Sequence, residues 1–361
     1  RNREFNLICT AKLIRYRLKE ILLEWKKLDG IKLDRKKILF ILGVISVYLA
    51  IVLYGDINHL SKTFQTLKIE YIPIILCIIF GSLFIKSIRQ KIFLDEIGLN
   101  LSIKKNLQLY IFGMSLVATP GGSGNIIKCQ FIKDRYGLSR SRTVPIVLFE
   151  RYHDLLGAIL ILSVLIASIF LLSASIILLG SVILLIFLTL IIYKTELIKK
   201  IQNKLKNIKF LNKITPNDEF NESIKILSKP KNFAKGLLLS IPAWIVDAFG
   251  VYLIFLAFNQ DFGFIITTEY YFTATLFGAI SMIPGGLGVT DGSLLALIQS
   301  NHTEDSIASA IVLLVRFCTI WFATGLGILF TKFILVKNSW KYLNSLFKLP
   351  TLFEKIRKSF W

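Results

Sequence analysis

The chain is poor in the residues that most often build metal sites and nucleophilic triads. Its 361 residues include 4 cysteines and 3 histidines, without a CxxC pair or a histidine cluster. Zinc sites and Ser-His-Asp triads depend on such groups. We therefore expect no metal and no cofactor, and because no convincing catalytic motif is present, we predict that the protein is not an enzyme.

Acidic residues are also scarce, since 23 Asp and Glu stand against 44 Lys and Arg and give a net charge of +21. In a soluble protein this excess would suggest nucleic acid. However, 54% of the residues are hydrophobic, the mean hydropathy is +0.63, and the basic residues crowd between long apolar runs. The composition therefore predicts an all-α integral membrane protein with no nucleic-acid partner.

The apolar runs divide the chain into two membrane halves, and most are near the length that a spanning helix needs. They predict about six spanning helices. Because basic connections such as residues 89–105 face the cytoplasm, both termini are predicted on that side of the inner (cytoplasmic) membrane. We place a cytoplasmic basic amphipathic segment at 1–37, the first half at 38–193, a cytoplasmic basic linker at 194–235, the second half at 236–330 and an interfacial basic tail at 331–361.

A Pro-Gly-Gly-x-Gly motif occurs once in each half. Unpaired backbone groups are costly in hydrocarbon, so each break must be covered by protein or by a polar cavity. We predict two re-entrant broken-helix hairpins, at 107–133 and 264–299, that enter from opposite sides and, with a reversing helix at 176–193, form an inverted-topology repeat. The alternative is a duplicated bundle whose glycines only allow close packing. The break residues are Pro120, Gly121, Gly122 and Gly124 in the first copy, and Pro284, Gly285, Gly286 and Gly288 in the second.

Several charged side chains lie within the apolar segments, where each costs about 2.5 to 3.5 kcal/mol at a helix centre. We predict that they line a hydrated chamber in which Arg151 and Arg316 converge on a ligand phosphate, near the helix N-terminus that precedes Asp291. The alternatives are ion pairs with neighbouring acids and, for the lysines, snorkelling to the interface. The candidates are Lys86, Lys128, Arg151 and Arg316, and Glu150, Asp154, Asp247 and Asp291, with Glu269 at an outer edge.

The segment Pro284–Asp291, PGGLGVTD, together with the looser first motif, resembles the flippase-like transmembrane region of lysylphosphatidylglycerol synthases. The resemblance covers roughly residues 37–330. Family members usually carry Glu and Arg after the first break and Glu after the second. Asn125, Lys128 and Asp291 stand at these positions, so the resemblance adds Asn125 to the candidate substrate-binding residues. Since about thirty residues follow Phe330, we expect a stand-alone member without the soluble transferase domain.

The resemblance and the interior charges together predict a membrane lipid flippase that moves a phosphate-bearing head group through a polar cavity at the midplane. Its expected partners are a membrane lipid with an anionic head group and an anionic lipid surface, and a homo-oligomer is left open. The alternative is a membrane-embedded synthase or accessory subunit for lipid-linked sugar or aminoacyl-lipid formation, in which Glu150 or Asp154 would be the general base.

Overall fold

The computed structural model describes residues 35–115, 123–169, 179–180, 183, 187, 218–281 and 283–334. All regular elements in these residues are helical, which confirms the all-α prediction. The chain divides into two compact units, Arg1–Gly43 with Lys337–Trp361, and Val44–Val336. The described part of the first unit is residues 35–43, which begin the first helix. The predicted basic tail lies almost wholly outside the described residues.

The helices before the linker are α1 (Arg35–Tyr54), α2 (Ile57–Gln65), α3 (Tyr71–Glu96), α4 (Ile103–Met114), α5 (Ser123–Tyr136) and α6 (Arg140–Ile169). Those that follow are α7 (Asp218–Leu227), α8 (Pro230–Ala257), α9 (Gly263–Ile280), α10 (Val289–Gln299), α11 (Asp305–Arg316) and α12 (Phe322–Ile334). A short 3-10 turn, Pro284–Gly286, lies between α9 and α10, and a π-helical segment, Phe317–Trp321, joins α11 to α12.

Local sequence sets several helix starts. Asp56 begins α2, where its Oδ1 accepts the backbone N–H of Asn58 at 2.9 Å, and Ser102 caps α4 through the N–H of Lys105 at 3.5 Å. These side chains satisfy donors that a helix leaves free at its N-terminus. Pro230 occupies the first position of α8, where its missing N–H leaves no hydrogen bond unmade.

Helices α3 and α8 pack along each other at the centre of the bundle, and α6 and α9 pack against α8. The core between these helices contains Ile79, Phe255 and Phe272, all fully buried. Outer faces carry exposed apolar side chains such as Leu49 and Ile328. Such faces suit contact with hydrocarbon rather than water.

Three described helical stretches are long and apolar enough to cross a membrane, namely Tyr71–Glu96, Pro230–Ala257 and Asp305–Phe330. The pair Leu42–Tyr54 and Ile57–Gln65, bent by 82°, makes a fourth if it counts as one broken span. The six spans, the inverted repeat and the orientation of the termini therefore stay predictions. The reversing helix 176–193 lies almost wholly outside the described residues.

Both predicted hairpins contain two helices that pack against each other, α4 with α5 and α9 with α10. The first break, which includes Pro120, Gly121 and Gly122, lies outside the described residues, and Gly124 belongs to the first turn of α5. The second break is described except for residue 282. There Gly285, Gly286 and Gly288 have φ angles of 65°, 63° and 83°, a left-handed conformation that glycine adopts without a Cβ clash.

The described end of the predicted linker is helical. Helix α7 packs against α6, and Arg142 Nη2 lies 3.0 Å from Glu222 Oε2 between them. Helix α8 begins at Pro230, six residues before the predicted start of the second half. This part of the linker is therefore a helix that packs against the bundle.

Candidate functional site

Four ion pairs lie inside the described part of the bundle, and each joins helices that are distant in sequence or separated by a turn. They are Lys128–Glu150, Arg89–Asp154, Lys86–Asp247 and Arg316–Asp291. In every pair, both side chains are at most 15% exposed. Buried charges are costly unless they are paired and hydrogen-bonded, so the partners of each pair decide what it contributes.

The first pair belongs to a buried polar network that joins α3, α4, α5 and α6. Lys128 Nζ donates to Glu150 Oε2 at 2.9 Å and to Gln90 Oε1 at 2.7 Å. Gln90 Nε2 donates to Asn106 Oδ1 at 3.1 Å, and Asn106 Nδ2 donates to the Ser87 carbonyl at 2.7 Å. Because nearly every group has a partner, this network ties the first hairpin to the neighbouring helices.

The second pair places Asp154 between two arginines. Arg89, which is 1% exposed, donates from Nη1 to Asp154 Oδ1 at 2.8 Å and to Ser240 Oγ at 2.5 Å. On the other side, Arg151 Nη1 lies 3.6 Å from Asp154 Oδ2, beyond good hydrogen-bond distance. The Arg151 side chain is 52% exposed. Arg151 is therefore loosely held at the open side of a buried ion pair.

The third pair continues the same surface on α3 and α8. Lys86 Nζ lies 2.5 Å from Asp247 Oδ2 and 4.5 Å from the centre of the Trp244 ring, a cation–π arrangement. Lys86 lies three residues before Arg89 on α3, while Ser240, Trp244 and Asp247 recur at four and three residues on α8, so each set shares one helix face.

We call the set of Lys86, Arg89, Arg151, Asp154, Ser240, Trp244 and Asp247 the polar seam. Its three cations face two carboxylates, which leaves one positive charge in excess. The seam runs between α3, α6 and α8 and ends at the exposed Arg151. An anion with a single negative charge would complete its charge balance.

The fourth pair holds the second break. Arg316 donates from Nε to Asp291 Oδ1 at 2.5 Å and from Nη2 to Asp291 Oδ2 at 3.1 Å. It also donates to the carbonyls of Gly285 and Gly286, at 3.2 and 3.1 Å. Asp291 Oδ2 in turn accepts the backbone N–H of Gly288 at 2.7 Å. Arg316 thus fixes both the backbone of the break and the start of α10.

The structure pairs both interior lysines with acids, as the ion-pair alternative predicts. It gives Arg151 and Arg316 different acidic partners, Asp154 and Asp291, and the shared phosphate clamp stays a prediction. The helix N-terminus predicted to bind an anion is occupied by the carboxylate of Asp291. The side chain of Asn125 lies outside the described residues, and Glu269 is partly exposed on α9.

Arg89 is the main residue that sequence reasoning missed. The sequence predicts a cytoplasmic connection at 89–105, but α3 continues to Glu96 and buries Arg89. The basic residues that follow Arg89 in the sequence favour a loop and obscure its place on the helix. A usable signal exists, because Ser82, Lys86 and Arg89 recur at four and three residues and mark one polar helix face.

An apolar helical bundle with three membrane-length stretches and a charged interior defines a multi-pass integral membrane protein. Residues 38–327 match the family model described as the lysylphosphatidylglycerol synthase TM region. The chain belongs to this family, which confirms the resemblance seen in the sequence.

Several archaeal proteins are similar to the chain. A UPF0104 membrane protein of Methanothermobacter thermautotrophicus is 32% identical over 111 residues, which cover 30% of this chain and 33% of the relative. The alignment thus spans about a third of that relative. A UPF0104 membrane protein of Pyrococcus horikoshii is 25% identical over 324 residues, 81% of this chain and 95% of the relative. One of Methanocaldococcus jannaschii is 22% identical over 82% of this chain and 94% of its own length.

Proposed function

We propose that the protein is a lipid flippase that moves a phosphate-bearing head group across the bilayer while the acyl chains stay in hydrocarbon. The observation that carries this proposal is the loosely held, 52% exposed Arg151 at the open end of a seam with one excess positive charge. A guanidinium in this position has free donors for two phosphate oxygens.

The energetics of buried charge favour a transport role over a purely structural one. Ion pairs inside a protein often contribute little net stability compared with well-packed apolar residues. Charges at membrane depth therefore usually mark a path for a polar substrate. The polar seam offers such a path between α3 and α6 of the first half and α8 of the second, and the break at Gly285–Gly288 supplies a discontinuous helix of the kind that transporters use.

The family description also favours a lipid substrate. It names the transmembrane region of a synthase whose product is lysylphosphatidylglycerol, a lipid with a phosphodiester head group. The archaeal relatives are described as membrane proteins, without a substrate. A phosphodiester is the shared chemistry that suits the charge of the polar seam.

The proposal is tested with the purified chain in liposomes that contain phosphatidylglycerol labelled on an acyl chain with nitrobenzoxadiazole, a fluorophore that dithionite reduces to a non-fluorescent amine. Dithionite added outside bleaches only outer-leaflet label, so protein-dependent loss of the protected inner fraction measures translocation. The Arg151→Gln variant removes the accessible cation, and we expect it to slow translocation about tenfold or more.

The matched control is Arg142→Gln, which removes an arginine from the same helix at a pair between α6 and α7 outside the polar seam. We expect it to translocate lipid at the wild-type rate. Wild-type rates for Arg151→Gln, or no movement above protein-free liposomes for the unmodified chain, would contradict the proposal.

A further inference from the structure

The polar seam contains two buried nitrogen donors that have no partner. Eleven buried side-chain oxygen or nitrogen atoms in the described residues lack a hydrogen bond, and two of them are nitrogens, Arg89 Nε and Trp244 Nε1. Both lie in the seam. The others are oxygens of hydroxyl, carboxylate or amide groups, and hydroxyls can rotate toward a partner.

An unpaired N–H donor is a stronger sign of a missing ligand than an unpaired hydroxyl. Guanidinium and indole nitrogens only donate hydrogen bonds, so they need an acceptor. A buried donor without an acceptor has lost its hydrogen bond to water and gained none in return. Native proteins rarely retain such groups without a reason. Both lie around Ser240, because Arg89 donates to the Ser240 hydroxyl and a Cβ on Gly157 would lie 3.3 Å from both Ser240 Cβ and Trp244 Cδ1. Two such donors in one place indicate an acceptor-rich ligand.

The seam also has the charge and the opening for such a ligand. Its excess positive charge matches a phosphodiester monoanion, and its loosest internal contact is the 3.6 Å approach of Arg151 to Asp154. A phosphate that replaces this contact would meet Arg151 first. Arg89, on the other oxygen of Asp154, would be the next donor inward.

We propose that Arg89 Nε and Trp244 Nε1 are the inner donors of a phosphate-binding site in the polar seam, with Arg151 at its entrance. The ligand is a phosphate group that carries one negative charge, either free or on a lipid. This inference rests on the proposed function for the choice of a phosphate as the ligand. It makes a separate claim, because it concerns the binding of that phosphate and not its movement across the bilayer.

The cleanest variant is Trp244→Phe. It removes the indole N–H but keeps an aromatic ring near Lys86 and Phe272, and the control variant loses the same ring volume. The matched control is Trp321→Phe, since the Trp321 N–H already donates to the Tyr48 hydroxyl at 2.8 Å. A second variant, Arg89→Lys, keeps a cation for Asp154 while it removes the Nε donor.

Binding is measured by calorimetry on the full chain in micelles of a neutral detergent. The probes are inorganic phosphate, glycerol 3-phosphate and a short-chain phosphatidylglycerol, at about pH 5, where the two soluble phosphates carry mainly one negative charge because their second pKa is about 6 or higher. We expect saturable binding of at least one probe, weakened about tenfold by Trp244→Phe and by Arg89→Lys, and unchanged in Trp321→Phe. Binding of the lipid alone assigns the site to a head group, whereas equal binding of all three assigns it to free phosphate, and both support the site.

The inference is overturned if no probe binds saturably, or if folded Trp244→Phe and Arg89→Lys proteins bind like the wild type. Should one variant fail to fold, the other decides. The outcome separates from that of the flippase assay. Phosphate binding that depends on Trp244 without lipid movement would leave the site standing and reject the flippase, and lipid movement with wild-type binding in both variants would do the reverse.

Discussion

The two hairpins are each tied to the following long helix by an ion pair, but the pairs have opposite polarity. In the first hairpin the short arm α5 carries the cation, Lys128, and α6 carries the acid, Glu150. In the second, α10 carries the acid, Asp291, and α11 the cation, Arg316. The two hairpins therefore carry an ion pair at a similar position, but the cation and the acid are exchanged between the short arm and the long helix. This indicates that the contact between arm and helix is the common feature of the hairpins, and that either partner can carry the cation.

The partners beyond the ion pair also differ. Lys128 donates its second hydrogen bond to Gln90 of α3, so the Lys128–Glu150 pair holds helices together. Arg316 donates its additional hydrogen bonds to the carbonyls of Gly285 and Gly286, so the Arg316–Asp291 pair holds the break itself. The planar fork of arginine allows this, because its five donors reach several acceptors at once.

Replacing Arg316 with Met should have the largest effect on stability. The variant leaves the Asp291 carboxylate buried without its cation and frees two carbonyls of the break. We expect a loss of about 3 to 5 kcal/mol in the free energy of unfolding. Equilibrium unfolding in mixed micelles with increasing dodecyl sulfate measures it.

The double variant Asp291→Leu with Arg316→Met tests whether the pair acts only as a pair. We expect no recovery, because the N–H of Gly288 and both carbonyls still lack partners. Stability near the wild type in either variant would show that Arg316 does not hold the break.

Replacing Lys128 with Met should cost about 3 kcal/mol, at the lower end of what a broken buried pair costs. Here, in contrast to the second hairpin, adding Glu150→Leu should restore most of the loss. Both charges are then gone, and the hydrogen bonds of Lys128 Nζ in the described residues go to the side chains of Gln90 and Glu150 and not to the backbone. The same unfolding measurement applies. A double variant as unstable as Lys128→Met would contradict the prediction that the two ion pairs stabilise their hairpins in different ways.

A smaller effect should come from the spacing of the second hairpin. A Cβ on Gly278 would lie 1.9 Å from Thr290 Oγ1 and 3.3 Å from Gly286 Cα, so Gly278→Ala must displace the Thr290 side chain or move α9 away from α10. We expect a cost of about 1 to 3 kcal/mol, typical of an overpacked core. Gly292→Ala is the control, since a Cβ there meets nothing within 4 Å. Alanine inside a helix is more stable than glycine by about 0.5 to 1 kcal/mol, so this variant should not be destabilised. Equal unfolding curves for the two variants would contradict the close approach.

Much of this comparison is predictable from the sequence. The two Pro-Gly-Gly motifs predict the positions of the hairpins, and the hydrophobic background of Glu150, Asp291 and Arg316 marks them as unusual. These signals are local, because they depend on residue type and on neighbours along the chain.

The pairings are not predictable in the same way. Lys86 meets Asp247 across 161 positions, and Arg89 meets Ser240 across 151. Periodicity indicates which residues share a helix face, but it does not indicate which faces meet, since that depends on the packing of the whole bundle. For the same reason Arg151, although adjacent to Glu150 in sequence, takes part in a different pair.

Arg151→Gln should have the smallest effect on stability and therefore sharpens the comparison with Arg316. Arg151 is 52% exposed and lies 3.6 Å from its acid, whereas Arg316 is buried and donates to three residues. An exposed pair of this kind contributes about 0 to 1 kcal/mol, so the unfolding curve should shift little. A loss as large as that of Arg316→Met would make Arg151 a structural residue and would remove the accessible cation from the proposed site. An intact fold combined with slow lipid movement would instead separate the two arginines by role, one holding a helix break and the other facing the substrate.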